Sequence, residues 1–102
     1  MCQMIKNKLP KAVSIMGHRY KIRYLVNMPK LDGEEKLGTL NMYEGVIRVF
    51  GGTTVDEKWA TIWHEICHIK LYLRYRSLTP QVDHEDWCDW DAFCMMTLEF
   101  EY

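Results

Sequence analysis

The sequence predicts an α+β domain, a small twisted and mostly antiparallel sheet packed on two helices. Three observations carry this. Arg19 to Asn27 alternates strictly, with Tyr20, Ile22, Tyr24 and Val26 on one side and Arg19, Lys21 and Arg23 on the other, the pattern of a half-buried strand. Thr54-Val55-Asp56-Glu57 is a capping box that opens a long, strongly apolar segment. Asp83-His84-Glu85-Asp86 gathers acidic residues where a second helix would begin. At 102 residues, 48% hydrophobic and 13% aromatic, the chain builds one core and is too short for two, so residues 1–102 are read as a single domain.

The sheet occupies about residues 12–52. Ala12 to Ile15 is a short strand turning through Met16-Gly17-His18 into the alternating strand, which leaves His18 exposed in a turn. Residues 28–36, with Pro29, Asp32 and Gly33, read as a loop. Leu37 to Met42 and Val46 to Phe50 form a hairpin around Tyr43-Glu44-Gly45, and Gly51-Gly52 interrupts the chain before the capped helix. That helix is predicted over about 55–74, with Trp59, Ile62, Trp63, Ile66, Ile69 and Leu73 on its apolar side. Ser77 to Val82 is a linker in which Pro80 bars helix continuation. The second helix is predicted over about 84–100, through Trp87, Trp90, Phe93, Met96 and Phe100. Trp59, Trp63, Trp87 and Trp90 are expected to form the interface between the two helices.

Composition excludes several function classes. Thirteen Lys and Arg against fourteen Asp and Glu give a net charge of −1, with no basic stripe to follow a nucleic-acid backbone. No apolar run approaches the roughly 20 residues needed to span a membrane. Met1 to Lys11 lacks the apolar segment of a secretory signal, so the expected location is the cytoplasm and the expected state a monomer. Cys2, Cys67, Cys88 and Cys94 are then read as free thiols in a reducing compartment. The six-residue gap between Cys88 and Cys94 is not a zinc-ribbon spacing.

The chemistry concentrates in His64-Glu65-Ile66-Cys67-His68, an H-E-x-x-H pattern. Residues four apart share one face of a helix, so both imidazoles reach a single metal ion. Two neutral imidazoles suit Zn²⁺, and the Glu65 carboxylate beside them suits a general base acting on water. A catalytic zinc takes three protein ligands, and the second helix offers His84, Glu85, Asp86, Asp89 and Asp91. Asp89 shares a stripe with Phe93, Met96 and Phe100, while Asp91 neighbours Trp87, Met95 and Leu98. Spacing does not separate the two. Tyr72, one turn beyond His68, is read as core packing, with lining of the cleft as its alternative.

The helix-borne motif, preceded by a short sheet and followed by an acidic second helix, resembles the gluzincin-type zincin metallopeptidases. It is most similar to the phage minigluzincins and the ImmA/IrrE-like (also SprT-like) proteins. The resemblance covers roughly residues 15–100 and includes Met16-Gly17-His18-Arg19-Tyr20, the later hairpin and Asp89-Trp90-Asp91-Ala92-Phe93. It implies a zinc-dependent endopeptidase with His64, His68 and Asp89 as ligands and Glu65 as base, Asp89 standing where the family carries a Glu. Asp91 and Glu85 follow as second and third choices. It also implies that Val46 to Phe50 is an edge strand on which an extended peptide substrate adds in antiparallel fashion. The alternative reading is a phage-derived zincin-like binding module that does not turn over substrate. It would hold a structural metal with Cys67, Cys88 or His84 as a fourth ligand, or be inhibited by its own tail, Glu99 to Tyr102, folded onto the cleft.

Overall fold

Short apolar stretches separated by tight turns set up the first half of the molecule. The computed structural model describes residues 8–77, 91, 92 and 94–102, and the side chains of 8–73, 91, 92 and 94–102. β1 (Ala12–Ile15) and β2 (His18–Leu25) pair antiparallel with Ile15 opposite His18, so Met16 and Gly17 alone make the turn. Both have positive φ (51° and 81°), the left-handed conformation that matches the twist of a two-residue hairpin and suits glycine best. Within the segment expected to be a loop, β3 (Lys30–Leu31) and β4 (Glu34–Glu35) form a small separate hairpin around Asp32-Gly33.

β5 (Gly38–Asn41) and β6 (Val46–Phe50) form the predicted hairpin, and β6 then lies parallel to β2. The main sheet runs β5-β6-β2-β1-β7, with β7 at Glu99–Glu101. Its pairings are antiparallel except for β2 with β6.

One apolar stripe of α1 (Val55–Ser77) covers the sheet. Trp59, Ile62, Ile66 and Ile69 recur at helical spacing and are buried against Val13, Ile15, Tyr20, Ile22, Ile47 and Val49. The helix extends three residues past the predicted end at 74. No helix among the described residues is long and apolar enough to cross a membrane.

Two expectations about the sheet are corrected. Val46–Phe50 is not an edge, since β6 lies between β5 and β2, and the edge strand is β5. The burial of Val46, Ile47 and Val49 gives the reason: a strand so apolar belongs inside a sheet, whereas β5 is only half-buried throughout. The second helix does not reach residue 100. Residues 91, 92 and 94–96 are helical, Thr97 turns, and Glu99–Glu101 pairs with β1 at the edge opposite β5. The alternation of Leu98 and Phe100 with Glu99 and Glu101 favours a strand over the helical stripe through Met96 and Phe100.

The tail therefore extends the far side of the sheet and does not fold onto a cleft beside β5. Phe100 meets the rings of Trp59 and Trp63 edge-on, at centroid distances of 5.2 and 5.6 Å, so these two tryptophans hold β7. Trp87 and Trp90 lie outside the described residues.

Candidate metal centre

The site begins with the start of α1. The Thr54 hydroxyl accepts a hydrogen bond from the Glu57 backbone N–H at 3.1 Å and donates to the Glu57 carboxylate at 3.3 Å. Lys58 N–H donates to the Thr54 carbonyl at 3.0 Å, which closes the first turn. With the buried stripe set by Trp59, Ile62, Ile66 and Ile69, helical periodicity directs Thr61, His64, Glu65, His68 and Tyr72 to the side of the helix beside β5.

His64 and His68 are both exposed, and their Nε2 atoms converge to 3.2 Å with the rings nearly perpendicular at 81°. An ion at about 2.05 Å from each nitrogen would subtend about 103° across that gap, close to the roughly 109° of a tetrahedral zinc site. The separation of the two nitrogens thus matches that of two vertices of such a site.

Glu65 differs from its exposed neighbours in being only 6% exposed. It lies under the edge strand, where the position of a Cβ on Gly38 would be 3.4 Å from Glu65 Oε2. Burial pushes the Glu65 carboxyl above its ordinary range, an effect that the neighbouring His64 and His68 offset only in part.

Two hollows flank the place where Gly38 meets α1. One, of about 490 Å³, lies toward Met28, Leu37, Glu57 and Ala60, and the other, of about 520 Å³, toward Leu40, Met42, His68 and Tyr72. Gly38, His64 and Glu65 line both, which puts the imidazole pair and the carboxylate at the waist of one groove along β5. Tyr72, expected in the core, is 38% exposed and lines the second hollow, because it follows the face of His64 and His68 and not the buried stripe.

Of the candidates for a third ligand, Asp91 is placed elsewhere. Its carboxylate accepts a hydrogen bond from Lys70 Nζ at 2.6 Å, tying the second helix to α1. Lys70 is two residues beyond His68, about 200° around the helix, so this pairing directs Asp91 away from the histidines. Asp89, His84, Glu85, Asp86 and Cys88 lie outside the described residues. Among the described residues no group of three His, Cys, Asp or Glu side chains converges on one point. Cys67 is a free exposed thiol, and Cys94 is buried, its thiol pushed up by burial with Sγ 3.9 Å from Met16 Sδ.

Sequence reasoning missed Gly38 and Thr61, which set the distance between the edge strand and the helix. A glycine opening a strand was the available signal, since it marks close approach of another group. No family model matches the chain, and neither does any curated protein or solved structure.

Proposed function

We propose that this chain is a zinc-dependent endopeptidase of the zincin type, acting on protein or peptide substrates in the cytoplasm. The observation that carries the reading is the 3.2 Å approach of His64 Nε2 and His68 Nε2 beside a buried Glu65, under a strand that is a sheet edge among the described residues. His64 and His68 would hold the ion, with Asp89 as the proposed third ligand. When bound, zinc supplies Lewis acidity, acidifying water and polarising a peptide carbonyl.

The remaining chemistry belongs to the chain. Glu65 takes a proton from the attacking water as its oxygen bonds to the carbonyl carbon. It returns that proton to the amide nitrogen as the C–N bond breaks, releasing a carboxylic acid and an amine, and the acid's remaining proton then passes to the amine to leave carboxylate and ammonium. A carboxyl raised by burial is better matched to this transfer near neutral pH than an exposed one.

The edge of β5, open among the described residues, supports the choice of a peptide as substrate. Phe50 N–H donates to the Leu37 carbonyl at 2.8 Å, so the alternation of an antiparallel ladder turns the amides and carbonyls of Gly38 and Leu40 outward. An extended peptide paired there runs across the histidines. The buried Glu65 favours an enzyme over a structural metal site, which has no use for a base.

The test is Glu65→Gln. The variant should bind zinc as the wild type does and lose hydrolysis of casein-like substrates. Proteolysis surviving at the wild-type rate would remove Glu65 from the mechanism.

A further inference from the structure

The two ends of the groove differ in chemistry. The hollow near the start of α1 has an apolar floor of Met28, Leu37 and Ala60, and the exposed carboxylates Glu35 and Glu57 at its rim. Lys36 also borders it, but its ammonium lies 3.0 Å from Glu34 Oε2. Among the described residues the hollow at the other end is walled by Leu31, Leu40, Met42 and Tyr72, with Lys36 and His68 beside them, and Glu65 is its one carboxylate.

Direction follows from the strand. Gly38 lies beside Thr61 and Glu65, while Leu40 and Met42 share the hollow of His68 and Tyr72, so β5 advances in the same sense as α1. A peptide pairing antiparallel, the more stable arrangement, runs the opposite way. Its amino-terminal side lies in the apolar hollow and its carboxyl-terminal side in the acid-rimmed one. Both hollows are walled by α1, and alternate residues of a strand share a face, so the two pockets take residues two apart.

From this arrangement we infer that the groove selects the sequence apolar–any–Lys/Arg, with the scissile bond between the apolar and the basic residue. This rests on the peptidase reading. The aliphatic stem of lysine or arginine covers the apolar floor while its cation reaches the rim carboxylates. Both carboxylates are exposed, so each contributes a few-fold, and together they give about tenfold discrimination of Lys over Glu.

The experiment uses three labelled octapeptides that share a leucine and, two residues later, carry Lys, Leu or Glu. Specificity constants are measured with the zinc-loaded wild type, and dissociation constants by fluorescence anisotropy with zinc-loaded Glu65→Gln. The expected order is Lys, then Leu, then Glu, with about tenfold between the extremes. It should flatten in Glu35→Gln/Glu57→Gln and invert in Glu35→Lys, with folding checked by circular dichroism. Because Glu57 also caps α1, Glu35→Lys alone decides if the double variant does not fold.

Cleavage of all three at equal rates, or a preference for Glu, overturns the inference and leaves the peptidase reading standing. Ranked binding with no cleavage by the wild type supports the groove's selectivity and removes the peptidase reading. Failure to bind any of the peptides overturns both.

Discussion

Gly38 of β5 and Thr61 of α1 are packed so closely that a Cβ on Gly38 would overlap Thr61 Cγ2 and come within 3.4 Å of Glu65 Oε2. Backbone here meets side chain directly, and the edge strand rests on the helix one turn before the base. Gly38→Ala should therefore destabilise the fold by about 1–3 kcal/mol, the usual range for overpacking, and lower turnover more than zinc affinity. Thr61→Ser removes only the clashing methyl and keeps the hydroxyl that donates to the Glu57 carbonyl at 3.0 Å. Urea midpoints and turnover of Gly38→Ala/Thr61→Ser should return toward wild type. A double variant no better than Gly38→Ala would show that the contact does not set the strand's position.

The Lys70–Asp91 pair separates two candidate ligands. With side-chain exposures of 16% and 44% it is a partly screened pair, so Asp91→Asn should cost about 1 kcal/mol or less. Zinc content should be unchanged in Asp91→Asn and lost, or weakened at least tenfold, in Asp89→Asn. Elemental analysis after gel filtration reads both, and loss of zinc in Asp91→Asn would reverse the assignment.

Phe100 should be the main anchor of β7. Its ring is held edge-on by Trp59 and Trp63, and truncation to alanine should cost about 3 kcal/mol and shift the tryptophan emission. Thermal denaturation followed by fluorescence measures both effects. An unchanged melting temperature would mean that β7 contributes little to the fold.

Stability should decline at both extremes of pH for identifiable reasons. The Tyr24 hydroxyl donates to the Pro10 carbonyl at 2.6 Å, and burial, then the nearby Tyr102, raises its pKa to about 12. A raised folded value means stability that is complete below the ordinary tyrosine pKa near 10 and is lost as pH rises toward 12. Ultraviolet phenolate titration should find Tyr24 ionising late, and Tyr24→Phe should remove that step. At the acid end Arg19 donates two hydrogen bonds to Glu101, at 2.7 and 3.2 Å, and holds its carboxyl below the ordinary range. That contribution is present above the ordinary carboxylate pKa and fades as pH falls below it. Glu101→Gln should flatten this part of the stability profile.

Much of this architecture is legible in the sequence because local signals agree with the global fold. The alternation of β2, the hairpin around Tyr43-Glu44-Gly45 and the Thr54 capping box each specify one element, and α1 forms with its apolar stripe on the sheet. The motif spacing likewise brings His64 and His68 together. Sheet order was less legible. Which strand of the β5–β6 hairpin lies at the edge depends on β6 pairing in parallel with β2 across a connection of twenty residues, between Leu25 and Val46, a long-range choice no local pattern encodes. The β7 reading failed because Met96 and Phe100 fit a helical stripe while Leu98 and Phe100 fit a strand, and packing against Trp59 and Trp63 decided for the strand. The role of Gly38 is not legible locally, because it exists only once Thr61 is folded against it.

The proposed metal centre requires His64 and His68 to chelate one ion, and zinc stoichiometry tests that requirement. After exhaustive dialysis, the wild-type chain should retain about one zinc per molecule by mass spectrometric elemental analysis, and His64→Ala and His68→Ala should retain none. A wild type that binds no zinc, or variants that keep it in full, would contradict the metal centre and the peptidase mechanism built on it.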